Sequence, residues 1–84
     1  MHFYRWCGRA SPDIVLLWCA RHGRQIWTVC KTHKATKCSV TRMRIAKGSQ
    51  VYRPMTHRSN RADRISKDGI IELQIEHEQK GGGK

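Results

Sequence analysis

Two Cys-x-x-His pairs hold most of the ligand chemistry in this 84-residue chain: Cys19-Ala20-Arg21-His22 and Cys30-Lys31-Thr32-His33. Thiolate sulfur and imidazole nitrogen are the ligands of structural zinc, which takes four of them in a tetrahedron and leaves no position for a reacting water. Cys7 lies upstream and Cys38 downstream. Two ligand sets share Cys19, Cys30 and His33. In one, His22 completes a site of two cysteines and two histidines; in the other, Cys7 completes a site of three cysteines and one histidine. Gly23 follows His22 and Gly8 follows Cys7, and glycine permits the positive φ that metal-binding turns use. Cys38 is left as a spare ligand or a buried thiol. His2, His57 and His77 read as surface residues. The cysteines have two other uses: packing as small apolar side chains, or, in an exported chain, two disulfides in one of three pairings.

Such ligands need short strands and tight turns to gather them, and the local patterns supply both. His2 to Trp6 reads as a short aromatic strand and 8–13 as a turn. Asp13 to Cys19 reads as a strand buried on both faces; the chain turns at His22-Gly23 and returns over Gln25 to Cys30. Val40 to Ala46 and Gln50 to Arg53 read as a second hairpin about the turn Lys47-Gly48-Ser49, stopped by Pro54. Residues 31–39 suit either a loop or a helix starting at Lys31, and 56–66 one or two helical turns. Ile71, Leu73 and Ile75 alternate with Glu72, Gln74 and Glu76, the period of a half-buried final strand. The expected fold is therefore one small β-rich, zinc-stabilised domain. It comprises a zinc-ribbon-like Cys/His part (1–38), a basic hairpin and loop (39–66) and a final strand (67–78), with little helix and a Gly-rich flexible tail at 81–84.

Composition explains why a metal would help. The apolar fraction is 38%, below the usual range of about 45–50%, and chains of this size often supplement a thin core with a metal, disulfides or a partner. The formal charge is +11, which draws the chain toward polyanions. That charge is concentrated. Residues 31–66 carry ten Lys and Arg against Asp63 alone, a net of +9, whereas 1–30 carry +3 and 67–84 carry −1. No apolar run approaches the roughly 18–20 residues of a membrane span, and the N-terminus lacks the pattern of a secretory signal. The expectation is a cytoplasmic protein without a membrane partner.

The segments Trp6-Cys7-Gly8-Arg9-Ala10, Cys19-Ala20-Arg21-His22-Gly23 and Val29-Cys30-Lys31-Thr32-His33-Lys34-Ala35 resemble the small zinc-ribbon and zinc-knuckle proteins encoded by actinobacteria and their phages. The resemblance spans residues 6–35. The usual ribbon has two ligands in its first turn, whereas Cys7 stands alone. The spacing also resembles half of a B-box, whose downstream Cys/His pairs are missing here. The resemblance implies bound Zn2+ and a role beside nucleic acids or polymerases; phage versions act on host machinery, and a phage-encoded chain would work in the host cytoplasm.

The basic block points the same way on its own residues. Arginine forks match phosphate oxygens bidentately, and Lys31, Lys34, Lys37, Arg42, Arg44, Lys47, Arg53, Arg58, Arg61 and Arg64 are the candidate phosphate contacts, with Tyr52 and His57 able to stack on bases. Trp18 and Trp27 read as core. The sequence holds no His-Glu-x-x-His, paired-carboxylate or phosphate-loop signature, so no enzyme is expected. The leading expectation is a non-catalytic accessory protein binding nucleic acid with little base specificity. The runner-up is an inhibitor or adaptor docking on an acidic or nucleic-acid-binding protein surface such as RNA polymerase. A remote alternative is a secreted basic disulfide protein.

Overall fold

Alternation between core-facing and outward residues builds a curled antiparallel sheet closed by one helix. The computed structural model describes residues 3–55 and 59–79. The elements are β1 (Arg5–Ser11), β2 (Ile14–Cys19), β3 (Gly23–Lys31), β4 (Thr36–Lys37), β5 (Arg44–Ile45), β6 (Gln50–Pro54), β7 (Ile65–Ser66) and α1 (Lys67–His77). Five strands pair in the order β1-β2-β3-β6-β7, and β4 and β5 form a separate two-stranded ladder. Helix α1 packs on both β7 and β1, the two ends of that order, so the sheet bends round to meet it.

In β2, Val15, Leu17 and Cys19 point into the core, and in β3 Gln25 and Trp27 do so. Trp27 is fully buried and meets the Tyr4 ring edge-on, with centroids 5.0 Å apart. Ile65, Ile70 and Leu73 complete this core from the other side. The alternate residues Ile14, Leu16 and Trp18 face outward. The strand read as buried on both faces thus has one fully covered face and one partly covered, where Ile14 and Leu16 are half-buried, and Trp18, read as core, is 39% exposed.

The expected final strand over 67–78 is a helix. Ser66 caps it, its Oγ accepting from the Gly69 amide at 3.1 Å, and Asp68 stands in the first turn where a negative charge meets the helix dipole. The alternation of Ile71, Leu73 and Ile75 fitted a strand, but Ile70 and Leu73 are the pair that packs inward, and Ile71 and Ile75, four apart, share the exposed side. Glu, Gln, Leu and Lys are strong helix formers, which favours the same outcome.

The second expected hairpin is also re-paired. β6 joins β3 through Val29↔Tyr52 and Cys30↔Val51, while β5 turns back on β4. A tight turn at 38–43 separates them: the Cys38 amide donates to Met43 O and the Arg42 amide to Cys38 O, with Arg42 at φ 67°. Cys38 is fully buried. Its sulfur accepts from the amides of Val40, Thr41 and Ser66 and from Ser66 Oγ, each at 3.4 Å. Burial pushes this thiol up, but the hydrogen bonds from Ser66 and Thr41 outweigh it and leave it below its ordinary value. The same Ser66 hydroxyl caps α1, so turn and helix are tied through one sulfur. Gly69 packs directly over it, and a Cβ there would lie 2.8 Å from both Cys38 Sγ and Ile65 Cγ2.

Residues 59–64, where helical turns were expected, form a turn segment that leads into β7. No helix among the described residues is long and apolar enough to cross a membrane.

Candidate nucleic-acid interface

The two Cys-x-x-His pairs lie at opposite ends of one hairpin. Cys19 pairs with Gly23 beside the β2–β3 turn, which is built from Ala20, Arg21 and His22. Cys30 sits near the far end of β3, opposite Val51. The strand between Gly23 and Cys30 spans roughly 20 Å at the usual rise of about 3.3 Å per residue. His22 meets Ser59 Oγ at 3.1 Å, while His33 lies exposed beyond Cys30. Cys7 is exposed at a β-bulge between Trp6 and Gly8. Zinc–sulfur and zinc–nitrogen bonds are about 2.0–2.3 Å long, and this structure does not bring either expected ligand set to one point. Among the described residues no three His, Cys, Asp or Glu side chains gather as a metal site. The separation has a simple cause: a ribbon brings both turns to one end, whereas here the second motif falls at the far end of a nine-residue strand. All four cysteines are free thiols, with Cys19 and Cys38 packed as small core residues.

What the far end of β3 does gather is positive charge. A groove of about 560 Å³ lies between the sheet and the segment that leaves β3; Lys31, His33, Lys34, Arg53 and Arg64 line it with Cys30, and none of its lining residues is acidic. The contributors arrive from three stretches of chain. Lys31 ends β3, His33 and Lys34 follow it, Arg53 projects from β6 opposite Thr28, and Arg64 directly precedes β7. Thr32 fixes the groove's outer wall: its hydroxyl donates to Ala46 O at 3.2 Å and accepts from the Gly48 amide at 3.0 Å. The Arg64 guanidinium is set by Nη1 donating to Asp63 O at 2.7 Å and Arg61 O at 2.9 Å; its remaining N–H groups are the natural donors to an anion.

A buried polar network pins the segment that carries Arg61 and Arg64. Tyr4 donates its hydroxyl proton to Asp63 Oδ2 at 2.6 Å, and Asn60 Nδ2 donates to Tyr4 Oη and to Gln25 Oε1, both at 2.8 Å. Gln25 Nε2 returns a bond to Asn60 Oδ1 at 3.3 Å. Burial raises the Tyr4 phenol well above its ordinary value, and the hydrogen bond to Asp63 raises it further. A phenol held neutral in this way contributes stability that is present in full below the unfolded-state value and is lost as pH rises through the folded one. Tyr4→Phe is expected to cost about 1–3 kcal/mol at pH 8 by leaving Asp63 and Asn60 short of a partner. The gap in urea stability between wild type and variant should shrink above about pH 10, because only the wild type bears the cost of ionising this phenol.

Outside the groove, Lys37 and Arg44 lie directly opposite each other in the β4–β5 ladder and line a second, shallower concavity. Like charges in that position repel. Arg42 and Lys47 are exposed in the turns on either side of β5. Arg61 is exposed. Tyr52 is in the core at 5% exposure and presents no ring face for stacking. His57, Arg58 and the tail at 81–84 lie outside the described residues.

Sequence reasoning missed the outward face of β2 and β3, where Trp18 stands between Arg5 and Arg24 in register. The signal was the alternation itself: an apolar residue at every second position of 14–18 marks a second apolar face as readily as a doubly buried strand. Compared with protein-family models, curated proteins and solved structures, the chain shows no match.

Proposed function

We propose that this chain is a non-catalytic nucleic-acid-binding protein that grips the phosphate backbone with the groove at the far end of β3. One observation carries the reading. Lys31 and Lys34 from the end of β3 and just beyond it, Arg53 from β6 and Arg64 before β7 come from three separate stretches of chain and converge on one concavity whose lining has no acidic residue. Holding these cations together costs self-repulsion, which a polyanion removes. Arg53 and Arg64 supply planar forks for phosphate oxygens, while Lys31 and Lys34 act as point charges on flexible stems. Lys37 and Arg44 extend the positive surface to the next ladder.

Binding of this kind depends steeply on salt, because each neutralised phosphate releases condensed counterions. Four phosphate contacts give a log–log slope of about −3 to −4, with little discrimination among sequences. Fluorescence anisotropy with random duplex and single-stranded oligonucleotides, titrated from about 0.05 to 0.3 M salt, tests this. A slope near zero, or no binding at the lowest salt, would contradict the proposal.

A further inference from the structure

We infer that the outward face of β2 and β3 is a base-stacking surface, so that the nucleic acid this protein takes is single-stranded. The inference rests on the proposed phosphate groove and adds the class of strand it serves.

The outward face of an antiparallel sheet is ordinarily polar. In β2 its residues are the half-buried Ile14 and Leu16 and the exposed Trp18, and in β3 they are the exposed Arg24 and Ile26 and the half-buried Thr28. Trp18 and Ile26 are 39% and 45% exposed, and the Met55 amide donates to Ile26 O, which brings a further exposed apolar residue alongside. None of the outward residues of β2 and β3 is acidic. Across the strands, Trp18 is directly opposite Arg5 on one side and Arg24 on the other. An indole flanked by guanidinium groups offers a flat apolar surface for a base with cations at its rim for the adjoining phosphates.

The face is continuous with the groove. Thr28 pairs with Arg53, and Cys30 lines the groove itself, so the outward side of β3 runs from Arg24 past Ile26 into the cluster of Lys31 and Arg53. That track is roughly 20 Å long. A duplex would lay only charged backbone across Trp18 and Ile26, stripping its hydration against apolar surface. An open strand covers the same residues with base faces while its phosphates reach the arginines. The absence of acid and the run into the cationic groove favour this occupant over a protein partner.

The test uses the full chain, a labelled oligothymidylate of about 12 nucleotides, within the range of site sizes for stacking folds, and its duplex with oligoadenylate. Trp18→Ala and Trp18→Phe are compared with wild type, with circular dichroism confirming the fold. The wild type should prefer the single strand by tenfold or more. Trp18→Ala should weaken single-strand binding by roughly five- to hundredfold, the usual range for loss of one stacked base. It should leave duplex binding within about twofold, and Trp18→Phe should keep most of the single-strand affinity. Equal affinity for both strands, or a Trp18→Ala variant that binds single strands like wild type, overturns the stacking surface and leaves the groove standing. Binding to neither strand removes the phosphate reading as well. A Trp18-dependent complex with a protein, without nucleic-acid binding, assigns the face to a protein partner and overturns the inference.

Discussion

Trp27→Ala will lower the melting temperature by roughly 15–30 °C. The indole is fully buried at the centre of β3, between β2 and β6, with Tyr4 packed edge-on against it. Truncating a buried tryptophan removes its transfer energy and leaves a cavity, typically costing about 3–5 kcal/mol. Each kcal/mol shifts the midpoint of a domain this small by about 4–8 °C. Trp27 Nε1 is buried without a hydrogen-bond partner, so the alanine variant recovers some of the cost of that orphaned donor, which keeps the loss toward the lower end. Trp27→Phe keeps most of the ring contacts, discards the unsatisfied N–H, and should lose much less. Thermal circular dichroism decides: an alanine variant melting with wild type would mean that β3 is not the centre of the core.

The largest effect on binding is expected from Lys31→Glu combined with Arg53→Glu. Both residues are exposed and both line the groove, so the fold should tolerate the change. Two phosphate contacts disappear and two repulsions replace them, which should weaken binding about a hundredfold at low salt and reduce the salt slope by about 2. The control is Arg21→Glu with Lys67→Glu, the same change in net charge at exposed positions away from the groove. It should cost less than about tenfold, because long-range attraction is screened over roughly 10 Å. Equal losses in the two double variants would mean that net charge, not the groove, drives association.

The hairpin of β2 and β3 was legible because its strands carry β-branched and aromatic runs on either side of His22-Gly23, and Gly23 takes the positive φ, 69°, that the turn requires. The β-rich class followed from the same local signals. What was not legible was pairing. Whether Gln50–Arg53 turns back on Val40–Ala46 or crosses to β3 depends on long-range packing of Val51 and Tyr52, and β6 joined β3. The helix at 67–77 was hidden because 71–76 satisfies a period of two, while the deciding features, the Ser66 cap and the fit of Gly69 over Cys38, are tertiary.

At the site, the clustering of basic residues in 31–66 anticipated the groove, and Lys31, Lys34, Arg53 and Arg64 meet there. The expectation for Tyr52 failed because burial cannot be read from a lone aromatic beside Val51. The Cys/His spacing suggested a shared ion because each pair is locally well formed, yet a strand nine residues long holds them apart. Composition pointed to a metal, disulfides or a partner as a supplement to a thin core; what it could not show is that the aromatic pair Tyr4 and Trp27 is buried with α1 laid over the sheet.

The most direct measurement is an amide chemical-shift map of the labelled full chain during addition of a short single-stranded oligonucleotide. The account predicts that the perturbed residues trace β3 from Arg24 to Lys31, continue through His33 and Lys34, and include Arg53 and Ala62 to Arg64, while Ile71 to His77 of α1 stay still. Shifts concentrated on α1, or a uniform pattern over every exposed cation, would contradict it.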